Sequence, residues 1–188
     1  MCRFKSGIIL KNKTVIAEGG NDSHSDLLET LGIEDDYTGA TKKFVRVELV
    51  PENNEWWISP EEHPENWTFI ADQDIVPEWF DKETYEKEFR AAVCAWWNNH
   101  VMVDQKIETL SSGHYRLKRC EVKQLLNDVQ VMCDSSTVQR MYGSSTVQKM
   151  YGSSMIRDFK DYPQITIFVP DTPDKFEMMA HKNNEDRH

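Results

Sequence analysis

The sequence predicts an α+β fold, a small antiparallel sheet with two helices, followed by a short nonapeptide-repeat, β-solenoid-like module. Three observations predict it. Short alternating apolar segments bounded by polar turns fill the first half of the chain. One strongly amphipathic segment runs from Lys82 to about Asn98. Two nearly identical nine-residue units stand back to back from Ser135 to Gly152. The expected division is 1–120 for the α+β part, 121–170 for the repeat module and 171–188 for a polar tail.

Taken in order, Arg3 to Leu10 and Thr14 to Glu18 flank the polar Lys11-Asn12-Lys13 and read as a hairpin. Ser23 is placed to cap a short helix, with Asp26 in its first turn, Leu27, Leu28 and Leu31 on one side and Gly32 as its stop. Phe44 to Val50 alternates as a strand, ended by Pro51, and Glu52 to Asn66 is a loop rich in Pro, Asn and Glu. Trp67 to Ala71 is a further strand, and Ile75 to Phe80 an irregular link. Asp81 caps the long helix, whose Tyr85, Phe89, Ala92, Val93 and Trp96 share one face. His114 to Arg119 is extended, while Cys120 to Leu126 gives no clear signal.

The units Ser135–Gly143 and Ser144–Gly152 have degenerate copies before them, from Leu126 to Asp134, and after them, from Ser153 to Asp161. The fourth position reads Val129, Val138, Val147, Ile156, and the seventh reads Met132, Met141, Met150, Phe159; Ile165 and Phe168 form a fifth echo. Nine residues make two and a half turns of α-helix, so successive copies would face opposite sides of it and no single buried face could form. A chain that coils back on itself can place each Val and Met inward, with Gly and Ser at the corners. Duplicated hairpin strands are the competing reading. The repeat lacks the Gly-Gly-x-Gly-x-Asp pattern of calcium-binding solenoids, so neither calcium nor any other metal or cofactor is expected.

The 188 residues carry 22 Lys+Arg against 32 Asp+Glu, a net charge of −10. That field repels nucleic acid and anionic membranes, and it excludes direct phosphate binding as the working mode. A basic protein partner fits better. Cys2, Cys94, Cys120 and Cys133 show neither a CxxC pair nor metal-ligand spacing, and no apolar run is long enough to span a bilayer. The expectation is a cytoplasmic protein with reduced thiols, without direct membrane contact, and one whose open-edged repeat stack pairs as a homodimer.

Four groupings bear on chemistry. Cys2, once Met1 is removed, carries a thiol beside its own α-amine, the arrangement of a self-activated nucleophile. Its Cys2-Arg3 opening before an apolar strand resembles the start of N-terminal-nucleophile amidotransferases and of abasic-site-crosslinking proteins, which implies an amidohydrolase-like enzyme acting through Cys2. The other motifs of those families are missing. The run Asn21-Asp22-Ser23-His24-Ser25-Asp26 offers a His and an Asp for metal or acid–base work, or simply a capped helix start. The six tryptophans read as core or interface residues, because stacking platforms for bases come with Lys and Arg. From Thr14 to Thr41 there are seven acids and no Lys or Arg; from Glu48 to Asp81 there are ten more, again with no cation. Such long single-sign runs create a directed field.

In composition and in its repeat the chain resembles accessory proteins of phages and mobile elements of gut bacteria, and its acidity is similar to that of anti-CRISPR inhibitors that mimic nucleic acid. The resemblance implies a non-catalytic inhibitor of a basic nucleic-acid-binding host defence protein such as a Cas nuclease. Its expected contacts are Glu52, Glu55, Trp56, Trp57, Glu61 and Glu62, a loop that joins charge to aromatic anchors. A phage structural or scaffold component using the repeat as its contact surface is a third reading.

Overall fold

A computed structural model describes residues 4–17, 22–35, 43–160 and, by its backbone, the strand 164–168. Cys2, expected as a nucleophile, lies outside the described residues.

The first part is an antiparallel sheet of four strands in the order β2-β1-β3-β4: β1 is Lys5–Leu10, β2 Lys13–Ile16, β3 Phe44–Pro51 and β4 Trp67–Ala71. The hairpin forms about a shorter turn than expected, with Lys13 already in β2, and Arg3 and Glu18 of the expected strands lie outside the described residues. Both later strands and the loop between them fall where the sequence places them. Alternation in β3 splits its side chains between two cores. Val45, Val47 and Leu49 join Ile9, Phe69, Phe89, Val93 and Trp96 on one face. Phe44 joins Ile8 and Leu28 on the other. The short helix α1, His24–Thr30, covers that second face; Ser23 caps it by accepting from the Asp26 backbone N–H at 3.3 Å.

The long helix α2, Lys82–His100, covers the first face, capped by Asp81 Oδ1 at 2.9 Å from the Thr84 N–H. Of the predicted stripe, Phe89, Val93 and Trp96 are buried, whereas Tyr85 and Ala92 lie half-buried at its margin.

Beyond α2 the chain winds as a β-solenoid of about four turns through residues 101–160. Strands alternate between two parallel sheets. One holds β6 (Lys106–Leu110), β8 (Glu121–Leu125), β10 (Thr137–Tyr142) and β12 (Met155–Lys160). The other holds β5 (Val101–Val103), β7 (His114–Lys118), β9 (Asp128–Cys133), β11 (Thr146–Met150) and β13 (Gln164–Phe168). All pairings within both sheets are parallel, so the hairpin alternative is overturned. The coiling also starts twenty residues before the expected boundary at 121, because β5 and β6 belong to it without carrying the repeat sequence.

Register explains the repeat's residue choices. Val129 pairs with Val147 and Val147 with Ile165, each 18 residues apart, so 18 residues carry the chain from one strand to its neighbour in the same sheet. Val129, Val138, Val147, Met132 and Met141 are fully buried between the sheets, with Met150 nearly so. Corners require left-handed backbone, found at Asp134 (φ 51°), Gly143 (φ 57°) and Gly152 (φ 62°). The second serine of each unit then closes the turn. Ser136, Ser145 and Ser154 donate their hydroxyls to the carbonyls of Cys133, Tyr142 and Tyr151 at 2.7, 2.7 and 2.9 Å.

The copy Leu126–Asp134 departs from the consensus where it meets the first part of the chain. Val131 and Cys133 stand where the clear copies have Arg140 or Lys149 and Tyr142 or Tyr151. Both join the core built by the antiparallel sheet and α2. The β9 strand is thus apolar on both faces, with one face in each core.

Candidate functional site

The joint between the two parts is lined by buried cations set against aromatic rings. Lys5 is fully buried, with its ammonium 2.9 Å from Asp22 and 3.8 Å from the centroid of Trp96. Arg116 lies 3.5 Å from Asp22, over Phe4 at 4.4 Å and near Trp56 at 5.8 Å. Burial pulls the Arg116 guanidinium down to about 10, against the stabilising pull of Asp22 and Tyr151. Lys118 sits 3.2 Å above Trp57 and pairs with Asp134. The contacts of Arg116 with Asp22, Phe4 and Trp56 and of Lys118 with Trp57 join the solenoid to the first part.

They also decide the fate of the predicted contact loop. Trp56 is only 6% exposed and its carbonyl accepts from the Trp97 indole at 2.8 Å, so it is an interior residue and offers nothing to a partner. Trp57 is half-buried beneath Lys118. The acids are placed differently. Glu52, Glu61 and Glu62 are exposed and Glu55 half-exposed; Glu61 accepts from Asn98 at 3.2 Å. Among the described residues no Lys or Arg pairs with any of these four. Arg90, which also reaches this loop, turns to Glu86 and to the carbonyls of Pro64 and Trp67. Lys106, Arg116, Lys118, Arg119, Lys123 and Lys160 pair with Asp22 or with acids of the solenoid itself, whereas Arg140, Lys149 and Arg157 pair with no acid among the described residues.

Sequence reasoning missed the apolar residues that do reach the surface. Ile75 is 59% and Val76 42% exposed, between Asp72, Asp74 and Glu78. An apolar pair inside an acidic rim is the composition of a docking surface. A polar groove of about 400 Å³ also opens beside Asp104, Lys106, Arg119, Glu121 and Arg157; Lys106 pairs there with Glu121 and Arg119 with Asp104. Arg119 grips Asp104 through two hydrogen bonds of 2.6 Å and holds that carboxyl below its usual range.

Asn21 of the run Asn21–Asp26 lies outside the described residues, and the others take separate roles. Ser23 caps α1 and Asp22 serves the buried cations. His24 is 6% exposed, with Nε2 3.0 Å from the Val47 carbonyl and Nδ1 3.5 Å from Asp72 Oδ2. Glu48 completes a group whose ligand-type atoms all lie within 4.8 Å of one another. Its members are 24 residues apart in sequence, a spacing with no local signature. No helix among the described residues is long and apolar enough to cross a membrane. No protein-family model, no curated protein and no solved structure matches this chain.

Proposed function

We propose that this chain is a non-catalytic acidic binding protein that occupies the nucleic-acid groove of a basic partner, an inhibitor of a bacterial host defence protein such as a Cas nuclease, acting in the cytoplasm. One observation carries the reading: Glu52, Glu55, Glu61 and Glu62 keep their charge uncompensated by any Lys or Arg among the described residues. Surface acids ordinarily alternate with cations; here Lys5, Arg116 and Lys118 are drawn into the joint, and the exposed Lys11, Lys13, Lys82 and Lys87 form no ion pair with this loop. The working surface is therefore Glu52, Glu55, Glu61 and Glu62, with Ile75 and Val76 as apolar anchors in place of Trp56.

In this reading the solenoid is a rigid support. The nine-residue unit is its building block, one strand and one corner each, and its outer strands offer the edge through which two copies pair. The test is affinity capture from host extract with stepwise salt elution, followed by competition with duplex DNA. A partner that DNA displaces, and that the double variant Glu61→Lys/Glu62→Lys binds more weakly and with a shallower salt dependence, supports the reading. Capture unaffected by DNA, by salt and by the double variant rejects it.

A further inference from the structure

His24, Glu48 and Asp72 come together on the α1 face of the antiparallel sheet, and we infer that they form a binding site for one divalent transition-metal ion. The geometry starts from register. Ser6 in β1 lies directly opposite Glu48 in β3, and Asp72 follows β4 with its N–H bonded to the Arg46 carbonyl at 2.8 Å. Strand alternation puts Ser6, Glu48 and Asp72 on the face that α1 covers. His24, the first residue of α1, closes the group from above.

Two polar groups in this spot lack partners. Glu48 is 4% exposed, yet among the described residues no Lys or Arg pairs with its carboxylate and no hydrogen bond reaches it. The Ser6 hydroxyl is fully buried and has no hydrogen-bond partner. An ionised carboxylate so placed is costly unless a positive charge faces it. Arg46, two residues earlier on the same strand face, is turned to Asp35 and the Phe44 ring instead. A dication among His24, Glu48 and Asp72 would balance both carboxylates.

The ligands are also oriented for it. His24 Nε2 donates to the Val47 carbonyl, which leaves Nδ1 as the lone-pair nitrogen facing Asp72. Metal-binding histidines are commonly held in this way by the second ring nitrogen. Two ligands about 2.1 Å from one metal at a tetrahedral angle are separated by roughly 3.4 Å. Nδ1 and Asp72 Oδ2 are 3.5 Å apart. Gln73 fixes the segment that carries Asp72: its Oε1 accepts from the Arg46 N–H at 2.9 Å and its Nε2 donates to the Ile75 carbonyl at 2.7 Å. One imidazole with two carboxylates suits Mn²⁺, Fe²⁺ or Zn²⁺.

The test strips the full-length protein with a chelator and titrates Mn²⁺ alone, because thiols bind it weakly and the cysteines then do not compete. Loss of the free-ion EPR signal should show one Mn²⁺ per chain, and the melting midpoint should rise with Mn²⁺ concentration. Asp72→Asn, at an exposed carboxylate, should fold normally and bind about tenfold or more weakly. Glu48→Gln should lose binding while raising the melting midpoint of the metal-free protein, since it removes a buried charge. A role for Glu48 confined to packing would not produce that opposite pair of effects. No uptake by the unaltered protein, or uptake unchanged in Asp72→Asn, overturns the proposal even if Glu48→Gln fails to fold.

Discussion

Gly7 in β1 lies flat against the ring of Phe89 in α2, and a Cβ at Gly7 would overlap that ring and crowd the Val15 carbonyl. The long helix therefore rests on the sheet at a distance only glycine permits. Gly7→Ala must push α2 outward or force Phe89 off its rotamer. A loss of about 1–3 kcal/mol is expected by denaturant unfolding. A variant as stable as the parent would mean that the helix has room to move.

The serine of each corner is a structural hydroxyl. Ser145 is 2% exposed and satisfies the Tyr142 carbonyl, which its own N–H also reaches at 3.2 Å. Ser145→Ala should cost about 1 kcal/mol, since one buried hydrogen bond is lost without stranding a second group. Ser145→Val should cost more, because the added methyl groups enter a closed turn. Paired chemical-denaturation curves would separate the two.

Position in the stack, rather than identity within the repeat, sets the value of each seventh residue. Met141 is fully buried between the sheets, whereas Phe159 at the same place in the last described coil is 44% exposed. Met141→Ala should lower stability by about 2–5 kcal/mol and Phe159→Ala by a good deal less. Equal losses would show that the terminal coil is covered.

Burial lifts the Cys133 thiol to about 11 and raises Cys120 as well; at Cys94 partial burial acts first and Glu61 adds to it. The native state thus holds these protons more tightly than the unfolded chain does. Their contribution to stability is complete below the ordinary thiol range, near 8.5–9, and drains away as pH climbs towards 11. Unfolding midpoints should fall between pH 8.5 and 10.5, and Cys133→Ala should flatten that slope. Peptide mapping after iodoacetamide at pH 8 should find Cys94 labelled before Cys120 and Cys133.

Most of the first part was legible because its signals are local. Asp81 and Ser23 sit one residue before their helices, and the spacing of Phe89, Val93 and Trp96 is the helical period itself. The repeat announced coiling because Val and Met recur at a period no single helix face can use. Val101–Val103 and Lys106–Leu110 were missed, since strands that join a solenoid by register alone need no repeat sequence. Trp56 misled because a tryptophan in an acidic loop looks the same in sequence whether it faces water or the Arg116 guanidinium. The His24–Glu48–Asp72 group was invisible for another reason: three distant segments meet only after β1, β3 and β4 have paired.

The alternation of units between two sheets makes the chain's length arithmetic a matter of parity. Gaining two units would add one whole coil and leave everything beneath it in place. Gaining a single unit would instead move each later segment to the opposite wall of the stack. The basic sixth-position residues already show this sidedness, with Arg140 on one wall and Lys149 on the other. Copies as alike as Ser135–Gly143 and Ser144–Gly152 invite unequal exchange in their gene, and only even changes would return the same molecular surface.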